Sequence, residues 1–284
     1  MAMESQGRSA RSTLPVQADP VSSLPVENLS PNRSLQRGLM ILRCFRPGLG
    51  ALCNMDLVEK TGLPKATVSR LTKTLVNNGF LRRVAGSNEF RLSYSVLSLA
   101  HAVMLDSQVA HEALPLMQDL GEDRSINVGL SVRDELEMVY LHVVYGDSSR
   151  DSRRIEAGHR KPIEINAVGR SYLAALEKNE REALLRRCAA RHPEDRWQRI
   201  SCELDLAFQT FEREGYCSVV WNQATESIAV PLILTEGVFV TNVSFNINDY
   251  SHDEAVRLFV PALRQLGRVL QERLQDRALA ACAP

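Results

Sequence analysis

Apolar residues recur along this chain in two rhythms, and the points where one rhythm gives way to the other divide it. From Ser34, read as an N-cap, Leu35, Leu39, Leu42 and Phe45 fall on one helical face until Pro47 and Gly48 stop the run. A second short helix is predicted next, with Asn54 as N-cap, Leu57 and Val58 as buried contacts and Gly62 as its left-handed end. Pro64 suits the first turn of a third helix, which runs to about Asn78 and stops at Gly79. "FLRRVAG" and "NEFRLSY" then read as two short strands about a Gly-Ser-Asn turn. Three small helices and a hairpin thus occupy residues 32–94, with the helix-turn-helix at about 54–78.

Helical spacing returns from Ser95 to Leu120, with Pro115 a kink or a fresh start and Gly121 a terminator. "INVGLSV" and "LEMVYLHVVYG" read as paired strands joined at Arg133-Asp134-Glu135. "NAVGRSYLAALE", "EREALLRRCAA" and "CELDLAFQTFERE" read as helices. "YCSVVW", "SIAVPLIL" and "VFVTNVSFNI" return to strand, the last two hinged at Glu236-Gly237, and a final helix spans about Ser251 to Leu274. Residues 95–120 therefore link the first domain to an α+β domain over 121–284 with a mostly antiparallel sheet. Residues 1–31, rich in Ser, Pro and Ala, have too few large apolar groups to order and are expected to form a disordered tail.

Composition narrows the class. The 284 residues suffice for two domains, and 44% hydrophobic with 24% charged residues is the balance of a soluble globular protein. No apolar run approaches the roughly 20 residues of a membrane span. The N-terminus lacks a signal pattern, so a cytoplasmic protein without a membrane partner is expected. Six scattered cysteines form no C-x-x-C pair and read as neutral thiols in a reducing compartment; the six histidines are isolated, so no cofactor or metal is expected.

Net charge changes the picture most. It is zero for the chain, yet residues 32–94 hold eleven Lys and Arg against three acids, a local +8. The tail carries −1 and the remainder −7. A basic first domain joined to an acidic second one points to a polyanion partner for the first alone.

Within that domain the third helix is two-sided. Val68, Leu71, Leu75 and Val76 gather on one side; Ala66, Ser69, Arg70, Lys73 and Asn77 gather on the other. A solvated face would show the same division. Gly62 before a tight turn, small residues (Ala66, Thr67, Ser69) in the first turns, and no acid from 61 through 88 favour a helix laid into a DNA groove. Arg70 suits a bidentate contact to a guanine edge, with Ser69 and Thr67 on base or phosphate. Lys65 and Lys73 suit phosphate contacts, and Arg82 and Arg83 lie on a hairpin "wing". Contact with protein instead of DNA is the alternative, opposed by the +8. Catalysis finds no support: G-x-S-x-G, H-E-x-x-H and a glycine-rich phosphate loop are all missing, and "SHDEA" at 251–255 suits a helix start.

"SLQRGLMILRCF", "MDLVEKTGLPKATVSRLTKTLVNNGFLRR" and "FRLSYSVLSLAHAVM" resemble the winged helix-turn-helix of the IclR family of bacterial transcription regulators. The likeness continues through "INVGLSVRDELEMVYLHVV", "AGHRKPIEINAVGRSYLAAL", "REGYCSVV" and "SIAVPLI", from Arg33 to about Leu274. It implies an N-terminal winged helix-turn-helix, a linker helix that pairs subunits, and a GAF-like effector-binding domain. It also implies dimers or dimers of dimers on palindromic double-stranded operators near catabolic genes, with many members acting as repressors and some as activators. The linker's Val96, Leu97, Leu99 and Val103 would pack on a partner subunit.

The resemblance also implies a cup for a small effector, with an organic or aromatic acid as the expected ligand. The matching positions are Asn127 and Gly129, Tyr140 and His142, then Ile163, Asn166 and Ala167 at a helix entrance, and Ile228, Ala229, Asn242 and Ser244 on the late strands. Alternation puts Tyr140 with His142 and Asn242 with Ser244. Gly169 would let backbone amides near a helix start face an anion. One stretch departs from the family: an acidic residue and a Gly-Val pair usually follow the Gly-Tyr, whereas Gly215-Tyr216 here leads to Trp221 and Asn222.

Overall fold

The computed structural model describes residues 32–122, 124, 126–146 and 155–281; the predicted tail over 1–31 lies outside them. The first domain contains α1 (Arg33–Leu42), β1 (Leu52–Cys53), α2 (Asn54–Thr61), α3 (Lys65–Asn77), β2 (Leu81–Arg83) and β3 (Glu89–Leu92), its strands ordered β1-β3-β2. Ile41, Leu52, Leu57, Val68, Leu71, Leu81 and Phe90 make its core.

Three details differ from expectation, each for a local reason. Asn32, not Ser34, caps α1: its side-chain oxygen accepts from the Ser34 and Leu35 amides at 3.1 Å. The buried side of α1 is Gly38 and Ile41, which leaves Leu35 62% and Leu39 51% exposed. Cys53 occupies the N-cap of α2, its amide held by the Asp56 carboxylate at 2.7 Å. The Asn54 side chain instead accepts from the Thr72 hydroxyl of α3 at 3.2 Å. Gly62 does end α2 in the left-handed region, at φ 68°.

The linker is two helices, α4 (Ser95–Asp106) and α5 (Gln108–Glu122). The break falls at Ser107, whose hydroxyl accepts the Ala110 amide at 3.2 Å, and Pro115 sits inside α5. None of the residues of α4 is buried.

The second domain is β4 (Ile126–Asp134), β5 (Glu137–Tyr145), β6 (Arg160–Pro162), α6 (Ala167–Ala175), α7 (Lys178–Ala189), α8 (Glu194–Glu214), β7 (Cys217–Asn222), β8 (Thr225–Leu234), β9 (Gly237–Asn246) and α9 (His252–Ala281). Its strands run β6-β5-β4-β9-β8-β7, every neighbouring pair antiparallel. The β4–β5 turn comes slightly later than expected and takes Glu135 to φ 59°. On one face Ile126, Val128, Leu130, Ile228, Val243 and Phe245 pack with Met117 of α5 and Phe259 and Leu263 of α9. On the other, Tyr140, Ala229 and Val240 pack with Ile163, Leu173 of α6 and Leu204 of α8. Among the described residues, no helix is long and apolar enough to cross a membrane.

An ion cluster ties the domains together. Arg46, just past α1, meets Glu137 through two hydrogen bonds, 2.6 and 3.1 Å, and Arg160 Nε holds the same carboxylate at 2.8 Å. Arg43 reaches Asp134 at 3.6 Å. Burial pushes the Glu137 carboxyl up, but the arginine bonds outweigh it and hold the group below its ordinary value.

Candidate nucleic-acid interface and ligand cup

On α3 the division into two faces is physical. Val68, Leu71 and Thr72 are buried, while Lys65, Ala66, Ser69, Arg70 and Lys73 are exposed and Thr67 is half-buried. The Thr72 hydroxyl bonds back to the Val68 carbonyl at 3.0 Å as well as to Asn54, which fixes α3 against α2. Among the described residues Lys65, Arg70 and Lys73 have no carboxylate partner, so their charge is uncompensated at the surface. On the wing, Arg82 lies over the Tyr94 ring at 5.7 Å and Arg83 over Phe90 at 5.6 Å; both are exposed. The aromatic rings support the arginine stems and leave guanidinium edges open to solvent. Such a strip can hold a phosphate backbone and present one fork to base edges.

The second site is built on the sheet face that meets α6. Register places Asn127 opposite Ser244, Gly129 opposite Asn242, and Ala229 opposite Asn242 on the other side. Ser227, which sequence alternation with Ala229 could have flagged, joins them: Asn242 Nδ2 donates to its hydroxyl at 3.1 Å and to that of Ser244 at 3.3 Å. Among the described residues, Asn127 Oδ1 and Asn242 Oδ1 are buried without a hydrogen-bond partner. Gly129 allows close approach here, since a Cβ would collide with Asn242 Oδ1 and lie 2.8 Å from Tyr140 Cε1, so both side chains would have to shift. Tyr140 is buried, which drives its hydroxyl pKa upward.

The helix entrance closes one end. Asn166 caps α6, accepting the Gly169 amide at 2.9 Å and donating to the Pro162 carbonyl; Ile163 and Ala167 are buried in the same core as Tyr140. Gly169 serves close packing, because a Cβ would overlap the Ile163 backbone, and its amide is already taken. The expected anion contact at Gly169 is therefore replaced by an internal cap.

Two expected cup residues lie elsewhere. The β4–β5 register shifts between Leu130 and Ser131, so Tyr140 stands opposite Ser131 but His142 stands opposite Leu130, on the α5 and α9 side. Burial there holds the His142 imidazole below its ordinary pKa. Ile228 pairs with Val243 and packs in the α5 and α9 core. His252 meets Glu226 at 2.7 Å at the start of α9.

Residues 34–85 match the model of the IclR helix-turn-helix domain, and residues 101–271 that of the bacterial transcriptional regulator IclR C-terminal domain. The chain belongs to the IclR family. Its two matched domains are those of a DNA-binding transcriptional regulator. The family resemblance extends to curated relatives. The HTH-type transcriptional regulator TsaQ1/TsaQ2 of Comamonas testosteroni is 35% identical over 184 residues, 64% of this chain and 66% of that protein. The Pca regulon regulatory protein of Pseudomonas putida is 24% identical over 272 residues, 94% of this chain and 93% of that one. The crystal structure of an IclR family regulator from Brucella abortus superposes with a TM-score of 0.78 at 36% identity, covering 88% of this chain and 96% of that chain.

Proposed function

We propose that this IclR family protein is a cytoplasmic repressor of a catabolic operon, binding a palindromic operator as a homodimer or dimer of dimers and released by a small organic acid held in the cup. The strip of uncompensated cations on α3 carries the DNA half of this reading. In the mechanism, two copies of α3 enter successive major grooves, Arg70 reads a base edge, Ser69, Thr67 and Ala66 allow close approach, and Lys65, Lys73, Arg82 and Arg83 neutralise phosphates. The exposed apolar residues of α4 (Leu97, Leu99, Val103 and Leu105), with Leu35 and Leu39 of α1, support pairing of subunits, because isolated solvent-facing helices do not keep such faces uncovered. The ligand half rests on Asn127, Gly129, Tyr140, Asn242 and Ser244, with Ile163, Asn166 and Ala167 at the end and Ala229 on the floor. An acid that binds one arrangement of the dimer more tightly shifts operator affinity by that difference alone.

Band shifts on the promoter region flanking the gene, across a salt series and with candidate acids, test this. Retention of operator over scrambled duplex, weakened by an acid, is expected. Loss of discrimination between the duplexes in the absence of any acid refutes it, and an acid that tightens binding overturns release by the effector.

A further inference from the structure

Lys161 on β6 and Trp221 on β7 stand on the two outer strands of the six-stranded sheet. In a flat sheet five strand spacings would hold those edges roughly 24 Å apart. Yet Lys161 Nζ lies 5.9 Å from the centre of the Trp221 ring. The sheet is therefore curled, and this pair crosses from edge to edge. Lys161 stands opposite Met138, whose side chain belongs to the core on the α6 side, so the ammonium and the polar floor share one side of the sheet. Among the described residues Lys161 has no carboxylate partner, whereas Arg133, a cation on the same side, already donates to the Tyr172 hydroxyl at 2.7 Å. Trp221 is 39% exposed and Lys161 half-buried, so solutes can reach them.

On that side of the sheet lie the two unpartnered oxygens, Asn127 Oδ1 and Asn242 Oδ1, the latter on a residue 3% exposed. A buried acceptor left without a donor is costly, and a ligand hydroxyl would relieve it. An ammonium has three donors and can serve a carboxylate while its stem stays on the indole, whose flat face also suits a planar ligand. Resting on the reading of the cup as a ligand site, we propose that Lys161 and Trp221 form a clasp over its mouth that binds the carboxylate of a small hydroxy acid, the hydroxyl reaching Asn127 or Asn242.

The full chain carrying Trp197→Phe leaves Trp221 as sole tryptophan and its fluorescence as a reporter at the mouth. Titration with matched acids and amides (4-hydroxybenzoate and 4-hydroxybenzamide, 3-hydroxybenzoate and its amide, mandelate and mandelamide), repeated by calorimetry, reads the charge preference. At least one acid is expected to bind about tenfold or more tightly than its amide and to change Trp221 emission. Lys161→Gln should erase that preference while leaving amide affinity nearly unchanged, and Lys161→Arg should keep it. An acid preference that survives Lys161→Gln, or equal binding of acids and amides, overturns the clasp and leaves the cup standing. A chain that binds neither member of any pair overturns the clasp and the cup together.

Discussion

Truncating Arg46 tests how firmly the two domains are joined. Arg46→Ala removes two hydrogen bonds to Glu137, whose side chain is 11% exposed. Hydrogen bonds to charged groups contribute about 1.5–3 kcal/mol when well desolvated. Arg46 itself is 40% exposed, and Arg160 stays 2.8 Å from the same carboxylate, so the charge is not left alone. Solvent screening then reduces the expected cost to about 1 kcal/mol. Glu137→Ala is worse: it leaves Arg46 and Arg160 facing a gap with Asp134 as the nearby acid, for about 2–3 kcal/mol. The double variant should cost little more than Glu137→Ala, because the arginine's bonds vanish with the acid. Urea unfolding at one fixed protein concentration, with the m-value unchanged, measures all three. Additive losses, or a larger loss for Arg46→Ala than for Glu137→Ala, would refute the idea that two arginines from different domains share one carboxylate.

The same carboxyl predicts a pH effect. Its folded pKa is depressed, so its contribution is complete above the unfolded carboxylate value of about 4.3 and fades as pH falls through the lower folded value. The stability gap between the wild type and Glu137→Ala should therefore close as urea melts are moved to more acid buffer; a constant gap counts against it. Arg70→Ala should lose about 1–3 kcal/mol of operator preference. Lys73→Ala should weaken all duplexes alike and flatten the salt dependence by about 0.9 in log–log slope per lost phosphate contact, read by fluorescence anisotropy. Gly129→Ala should fold with a penalty of about 1–3 kcal/mol and lose its response to acids, because Asn242 and Tyr140 must both retreat. Gly169→Ala meets backbone instead of a side chain, so its penalty in thermal melts should exceed that of Gly129→Ala.

Helix α3 was legible because one periodicity served it alone: the residues that repeat at 3.6 are the ones that pack on Leu57 and Phe90. In α1 the same rhythm marked an apolar face but not what covers it, and Leu35 and Leu39 face outward while Ile41 enters the core. Strand parity failed at two cup positions for different reasons. "SIAVPLIL" is apolar on both sides, since β8 lies between two packed layers, so nothing in it separates Ile228 from Ala229. In β5 the alternation was readable, but the register shift beside Leu130 reverses it for His142. β1 and β6 span two and three residues and are too short for any period to register. The Arg46–Glu137 contact joins residues 91 apart, and no local pattern announces it.

The irregularity in β5 makes one residue there dispensable to the register. Tyr140 and His142 straddle Leu141, the supernumerary residue that lets both keep their partners on β4. Excising Leu141 would remove the bulge and restore plain alternation, with Tyr140 still opposite Ser131 and His142 still opposite Leu130, so each would stay on the face it now occupies. A single lost codon at this point would thus cost the packing of Leu141 on the α5 and α9 core and the local bend of β5, while the proposed cup keeps its residues.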